Sequence, residues 1–599
     1  MQNGIAVIDF GGQYAHLIAN RIRRLHVYSE IFLPDADPAQ IEGACGLILS
    51  GGPSSVYDPN QPNFNPALFE TELPVLGLCY GHQLLCKHLG GDVVPGTVRE
   101  FGTAILNQVI DTPLFKGLGQ QEEVWMSHGD MVARLPKGFQ ILGSTPDCPT
   151  AAVGDEVRHI YGLQFHPEVA HTPHGQVIFD NFIALCDAPR NWTMANYAQT
   201  AIEDIHKQVG NRNVFLLVSG GVDSSVAFVL LNRALGSERV LGLHIDNGFM
   251  RKDETSAVAE FLKRGGFDNL MVEDASDDFL LSVEGLIDPE AKREAIGRTF
   301  LTVKDKVLAR LNLDVDHWLL GQGTLYPDTI ESGGTAHAAL IKTHHNRIDL
   351  IEELIAQGKV VEPLAHLYKD EVRDLGTQLG LPDALVWRHP FPGPGLAVRC
   401  LCSDGHMPVD DFSKDEKTAQ AIASEAGLQL RVLPIKSVGV QGDYRTYAHP
   451  AMVWGPASWE VLERVSTRVT NAVRTINRVI YLLSPQMPPE LKLKRSFLTR
   501  SRLDVLRQAD HLAMNTLLKA GLMGDVSQMP TVLLPLTTDG LKESVVLRPI
   551  TTPDFMTARF TPLPQHLALA LGADILALKG IAAVFYDVTH KPPGTVEWE

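Results

Sequence analysis

The sequence predicts an α/β chain in three parts: an N-terminal α/β domain over residues 1–190, a central doubly wound α/β domain over 191–402, and an α+β region over 403–599. The last carries a candidate duplication, with related units at about 430–500 and 501–599. Three observations predict this. A chain of 599 residues, 45% hydrophobic and 20% charged, is too long for one hydrophobic core. Short apolar runs alternate with amphipathic stretches through its first two thirds, the rhythm of strand and helix in α/β folds. In the final third, LPIKSVGV followed by TINRVIYLL is echoed by LPLTTDGL followed by GIAAVFYDV.

In chain order, the runs IAVIDF, GLILSGG, PVLGLCYG and IYGLQFHPE read as strands and HLIANRIRRL as an amphipathic helix. After the loop-like DAPRNWT, ANYAQTAIEDIHKQVG reads as a helix and VFLLVSGG, VLGLHIDNG and HWLLGQGT as strands of the central domain. Ser403 to Gln429 is polar without a strong period and is expected to be a linker or insertion, with KTAQAIASEAG able to form a short helix. The echo beyond it is equally well explained by the apolar rhythm that any two strand–helix–strand segments share.

Composition excludes several function classes. No window approaches the roughly 20 apolar residues that span a bilayer, and Met1 leads directly into strand-like GIAVIDF, so a cytoplasmic location without a membrane partner is expected. Seven cysteines without CxxC pairing argue against a disulfide framework and a structural zinc site. A net charge of −18 opposes nucleic acid, so a polyphosphate substrate would be held by local backbone donors, a cation and a few Lys or Arg side chains.

One cysteine sits in a chemical setting. In PVLGLCYGHQLL an apolar strand runs through Gly77-Leu78-Cys79-Tyr80-Gly81 into a helical pattern, the thiol version of a nucleophile elbow. The turn sets the Cys79 thiol at a helix N-terminus, where the partial positive charge favours the thiolate. His166 and Glu168 in YGLQFHPE supply a base and its orienter, while the glycine turn at Gly51 and Gly52 and the amide of Tyr80 are candidate oxyanion donors. Singly, each signal is weak, because buried cysteines and lone histidines are usually packing. Their ordered combination resembles the triad-type glutamine amidotransferases. The resemblance implies that Cys79 attacks the glutamine side-chain amide, ammonia leaves and water frees glutamate from a thioester, with Ser127-His128-Gly129-Asp130 as either a glutamine contact or a structural loop.

A second constellation points to phosphate. VFLLVSGGVDSSVAFVLL places Ser219, Gly220, Gly221, Val222, Asp223, Ser224 and Ser225 between a strand and a helix, where backbone N–H groups and hydroxyls surround an anion site. The Walker A spacing and its lysine are absent. The run resembles the pyrophosphatase loop of ATP enzymes that adenylate an oxygen. Asp246, where the candidate strand of LHIDNG ends, is expected near the adenosine, and Lys369, opening the helix of HLYKDEVRDLG, near the leaving phosphates. Magnesium bridging phosphate oxygens and Asp223 is the expected cation.

EAKREAIG, GQGTLYPDTIES, IKTHHN, RHPFPGPGLAVR, VGVQGD and the terminal KPPGTVEWE together resemble the GMP synthetases over nearly the whole chain. That resemblance implies the substrates xanthosine monophosphate (XMP), ATP and glutamine, with XMP contacts at Arg293, Asp443, Gln528, Lys591 and Glu597. A lysine suits the 5′-phosphate and a carboxylate the purine N–H groups. The extended third region leaves monomer and homodimer both open, since a tandem copy could replace a symmetry partner. A glutamine-dependent NAD synthetase, a tRNA-modifying adenylating protein and a catalytically dead nucleotide sensor are the rival readings; HPFPGPGL and KPPGTVEWE oppose the first, the missing basic face the second, and the intact reactive side chains the third.

Overall fold

The computed structural model describes residues 1, 3–12, 14–59, 61–314, 316–328, 357–406, 412–441, 444–483, 490–552 and 557–599. The chain forms two compact units, Met1–Thr200 and Ala201–Glu599.

The first unit is built on a nine-stranded mixed sheet. Its strands are β1 (Gly4–Ile8), β2 (Ser29–Phe32), β3 (Ala44–Leu49), β4 (Val75–Leu78), β5 (Asp92–Gln108), β6 (Gln121–Arg134), β7 (Gln140–Ser144), β8 (Ala152–Asp155) and β9 (Ile160–Leu163), in the order β2-β1-β3-β4-β9-β8-β7-β5-β6. The first five in that order are mutually parallel and the rest antiparallel. Strands β1 and β4 are buried throughout, hence their unbroken apolar sequences. Helices α1 (Ala15–Arg23), α2 (Tyr80–His88) and α3 (Gly175–Leu185) complete the layers, and helix α4 (Met194–Val209) crosses the boundary between units.

In the second unit, β10 (Asn213–Leu217), β11 (Val240–Asp246), β12 (Leu270–Asp274), β13 (Trp318–Gly321) and β14 (Val360–Val361) form an all-parallel sheet in the order β12-β11-β10-β13-β14. The order reverses at β10, and such switch points open a crevice at the carboxyl ends of the strands. Helix α5 (Val222–Leu235) follows β10, then α6 (Glu254–Arg264), α7 (Pro289–Leu311) and α8 (Lys369–Gln378).

A second, mixed sheet lies beyond residue 402. Helix α9 (Ser413–Glu425) precedes β15 (Gln429–Val432), β16 (Ser437–Gln441) and β17 (Tyr444–Trp454), then come α10 (Trp459–Ala472) and β18 (Ile476–Leu482). The succession recurs: α11 (Arg500–Lys519), β19 (Thr531–Leu534), β20 (Glu543–Leu547), α12 (Gln565–Leu576) and β21 (Ile581–Asp587). In each half the first strand pairs antiparallel with a partner that pairs parallel with the last, and the halves join through antiparallel β18 and β21. Strand β16 hangs on β17 outside this path. One apolar core runs from Phe215 and Leu243 of the parallel sheet to Val479 and Val584 of the mixed sheet.

The segment expected as a linker or insertion is packed into the core, and the short helix that KTAQAIASEAG could form is present. Residues 413–425 form α9, whose buried face is Ala419 and Ala423, with Leu428 and Leu430 beneath it in the same core. Alanine-lined contact leaves little hydrophobic contrast along the sequence, which hides the period from a reading by large apolar residues.

Candidate active sites

Strand β4 delivers Cys79 to the first site. Its φ of +50° and ψ of −104° lie in territory that L-residues avoid, as a nucleophile elbow requires. Neighbouring glycines make room for the turn. A Cβ on Gly77 would lie 2.6 Å from the Gly81 carbonyl oxygen, and one on Gly81 would lie 2.4 Å from that of Leu49. The Gly81 amide donates to the Ser50 carbonyl at 3.1 Å, tying the corner to the end of β3.

His166 and Glu168 follow β9, the strand beside β4, so the sheet itself brings them to the cysteine. His166 Nδ1 lies 2.6 Å from Glu168 Oε1, both side chains buried, and the ring lies beside Cys79. Burial works against a charged ring, but the Glu168 carboxylate and the Cys79 sulfur outweigh it and hold His166 well above the usual histidine range. A Cβ on Gly51 would meet His166 Cε1 at 3.1 Å and Cys79 Cβ at 3.7 Å, so that glycine turn lies directly against both. Gly52 packs on Phe10 and the Tyr80 ring. Tyr80 is the first residue of α2, and its N–H is among those a helix leaves without an intrahelical acceptor.

Two glutamines join this site that sequence reasoning did not single out. Gln164 Nε2 donates to Cys79 Sγ at 3.7 Å, and Gln83 Nε2 donates to Gln164 Oε1 at 3.1 Å and to the Asp130 carbonyl at 2.9 Å. Their signal was proximity to the elbow and to His166. The Cys79 thiol faces the Ser127 carbonyl at 3.6 Å, so Ser127-His128-Gly129-Asp130, which is part of strand β6 and not a loop, borders the nucleophile.

In the second unit, Ser219, Gly220 and Gly221 turn from β10 into α5, where Val222 to Ser225 form the first turn. Gly220 has φ of +79° and Gly221 caps the helix in an extended conformation. Ser219 Oγ and Ser224 Oγ lie 3.0 Å apart across the turn. Lys369 Nζ, opening α8, lies 2.5 Å from Asp223 Oδ2. Asp223 Oδ1 and Ser225 Oγ are buried without a hydrogen-bond partner among the described residues. Asp246 ends β11, next to β10, and accepts the Gly248 amide at 2.9 Å. Arg388 donates to the Gly220 carbonyl and pairs with Glu254 on α6, a contact not anticipated from RHPFPGPGL.

The terminal motif is ordered. Trp598 is fully buried, its indole N–H donating to Asp587 Oδ2 at 3.1 Å. Arg478 of β18 and Arg548 beyond β20 each place Nη1 2.9 Å from that oxygen and donate to tail carbonyls at Thr595 and Gly594. Desolvation by burial and the neighbouring Arg548 pull Arg478 down to about 9 against the attraction of Asp587. Glu597 receives Arg399 through both oxygens, and Gln528 Nε2 donates to its Oε1 at 3.3 Å. Arg293 donates to a terminal oxygen of Glu599, whose side chain pairs with buried Lys292. Lys591 bridges to Ala558 through its backbone. Asp443 lies outside the described residues. Arg293, Gln528, Glu597 and Glu599 thus gather on one side of the second unit's core, around Arg399, Lys292 and the 390–400 segment.

Family models match in the same order along the chain: glutamine amidotransferase class-I over residues 6–186, NAD synthase over 194–290, and GMP synthase C terminal domain over 415–491 and 515–598. A probable GMP synthase (glutamine-hydrolyzing) of Leptospira interrogans is 44% identical over 99% of both chains. The chain belongs to the glutamine-hydrolysing GMP synthase family. A probable GMP synthase of Caenorhabditis elegans is 37% identical over 99% of this chain and 92% of its own. The GMP synthase of Geobacillus kaustophilus is 42% identical over 82% of this chain and 99% of its own, so this GMP synthase family exists in a shorter form than the one described. Among the described residues, no helix is long and apolar enough to cross a membrane.

Proposed function

We propose that the chain is a glutamine-hydrolysing GMP synthase in which Cys79, His166 and Glu168 release ammonia and the second unit uses ATP to activate XMP for amination. The observation that carries the reading is the elbow cysteine beside a histidine whose Nδ1 is held by a buried carboxylate.

The Cys79 sulfur, as thiolate beside protonated His166, attacks the glutamine side-chain carbonyl, and its C–S bond forms as the oxyanion develops toward the amides at Gly51, Gly52 and Tyr80. His166 passes its proton to the departing nitrogen, the C–N bond breaks and ammonia leaves. Neutral His166 then takes a proton from water, which attacks the thioester; the C–S bond breaks and glutamate is released. Glu168 keeps the ring oriented through both steps.

In the second unit, the XMP C2 oxygen attacks the α-phosphorus of ATP and pyrophosphate departs; ammonia then attacks C2 and AMP leaves, giving GMP. Backbone amides of Ser219–Ser225 and the start of α5 suit the departing diphosphate, Lys369 its charge, and Asp246 the adenosine side of the crevice. The buried, unpartnered Oδ1 of Asp223 suits a magnesium ion, which when bound would neutralise phosphate charge. Arg293, Asp443, Gln528, Lys591 and Glu597 are assigned to XMP. Functionally the chain divides at about residues 190 and 402, as amidotransferase, ATP-pyrophosphatase and XMP-binding regions. The repeated succession of elements in the third supports an internal duplication and, of the two states left open, a monomer rather than a homodimer.

The test is to incubate the protein with XMP, Mg-ATP and glutamine and resolve the products by chromatography. GMP, AMP, pyrophosphate and glutamate in equal amounts are expected; AMP or glutamate without GMP would reject the reading.

A further inference from the structure

Resting on the reading of Glu597 as a purine contact, we propose that Arg399 is a positioning residue that fixes Glu597 so that Oε2 is the oxygen offered to the purine N–H groups. Arg399 closes the segment RHPFPGPGLAVR, far from Glu597 in sequence, and its guanidinium is completely buried. Its Nη2 lies 2.7 Å from Glu597 Oε1 and its Nε 3.0 Å from Oε2, the two-pronged geometry that only arginine offers a carboxylate.

The lone pairs decide which oxygen faces the ligand. A carboxylate has about four acceptor directions, two on each oxygen. On Oε1 one is used by Arg399 and the other by Gln528 Nε2, itself held by the Pro390 carbonyl at 3.1 Å. On Oε2 only Arg399 Nε is engaged among the described residues. Glu597 keeps 22% of its side chain exposed while Arg399 keeps none, so the carboxylate has an open side and the guanidinium does not. Arg399 therefore acts through Glu597.

The guanidinium is itself held in place. The Phe391 ring lies 5.2 Å from the Arg399 guanidinium carbon and 4.6 Å from that of Arg251, a contact that fixes the plane of the fork. Arg388, eleven residues earlier on the same segment, grips the Gly220 carbonyl of the phosphate loop. One short, proline-rich stretch thus sets both the loop and the carboxylate.

A double-mutant cycle on the full-length enzyme separates this role from general support. Arg399→Lys, Glu597→Gln and the pair are assayed with ammonium as nitrogen donor, reading KM for XMP, KM for ATP and kcat, with glutamine hydrolysis and the melting profile as checks on folding. Arg399→Lys should raise KM for XMP about tenfold and change KM for ATP less than about twofold, and adding it to Glu597→Gln should change KM for XMP less than about twofold. Equal increases in both KM values, or fully multiplicative effects in the pair, would overturn the assignment. Should Arg399→Lys fail to fold, Phe391→Leu removes the stacking ring without removing a charge: a rise confined to KM for XMP and abolished in Glu597→Gln supports the proposal, and an unchanged KM for XMP refutes it. A wild-type enzyme that makes GMP while the cycle is multiplicative defeats the role of Arg399 alone; one that makes none defeats the underlying reading.

Discussion

His166 Nδ1 and Glu168 Oε1 lie 2.6 Å apart with both side chains buried, and the His166 ring sits against the same glycine turn as Cys79. Burial alone would strip the ring of its proton; the carboxylate and the Cys79 sulfur reverse that, so His166 is protonated well above its ordinary range. A histidine whose folded pKa is raised contributes stability that is fully present below its unfolded value, near 6.5, and lost as pH rises through the folded value.

Glu168→Gln should therefore lower the His166 pKa, read from the imidazole proton resonances, and reduce glutamine-dependent synthesis about a hundredfold or more while sparing synthesis from added ammonium. Cys79→Ala should abolish the first activity and likewise spare the second. Equal loss with both nitrogen donors would refute the division of labour between the units.

The left-handed backbone at Cys79 makes a prediction independent of activity. Alanine there keeps the unfavourable φ of +50° and glycine relieves it, so Cys79→Gly should be more stable to urea than Cys79→Ala by about 1 kcal/mol, despite the unfolded-chain entropy of glycine. The reverse order would mean that the corner is unstrained.

Lys292 is completely buried, and its ammonium is met by Glu599 and by the carbonyls of Ala397 and Cys400. Burial pushes the Glu599 carboxyl up to about 7 against the pull of Lys292, so its proton is held more tightly folded than unfolded. This term favours the folded state most below the usual carboxylate range, near 4.5, and fades as pH rises to about 7. At about pH 8, where Glu599 is ionised, Glu599→Leu alone should destabilise the second unit by about 3–5 kcal/mol, because it strands the buried Lys292 charge, and Lys292→Met added to it should recover most of the loss in urea denaturation.

Strands β18 and β21 pair antiparallel and join the two similar halves of the mixed sheet within one chain, in keeping with the proposed monomer. Light scattering at micromolar concentration should give the mass of one chain, 65.6 kDa. A concentration-independent dimer would show that the internal pairing does not replace a partner.

What the sequence disclosed was local. Cys79 declares itself because strand, glycines and helix lie within five residues, and Ser219–Ser225 because loop and helix N-terminus are contiguous. His166 and Glu168 were legible as a pair two residues apart, and the parallel pairing of β4 with β9 supplied their approach to the cysteine. Gln528, Lys591 and Glu597 were named from resemblance, without what holds them. Arg399 reaches Glu597 across 198 residues and Arg478 reaches Asp587 across 109, and no periodicity announces such pairings. Arginine is read as surface by default, whereas Arg399, Arg478 and Arg548 are wholly buried. Helix α9 was legible as a possible short helix in KTAQAIASEAG, but its packing into the core was not, because its contact face is alanine.

In the proposed function, one chain moves the amide nitrogen of glutamine onto XMP. The most direct measurement supplies glutamine labelled with nitrogen-15 in the side-chain amide, together with XMP, Mg-ATP and unlabelled ammonium at low concentration, and reads the GMP by mass spectrometry. GMP carrying the label on its exocyclic amino group is expected, with loss of that label in Cys79→Ala and unlabelled GMP still formed when ammonium is raised. Labelled ammonium in solution with no labelled GMP, or labelled GMP from Cys79→Ala, would contradict it.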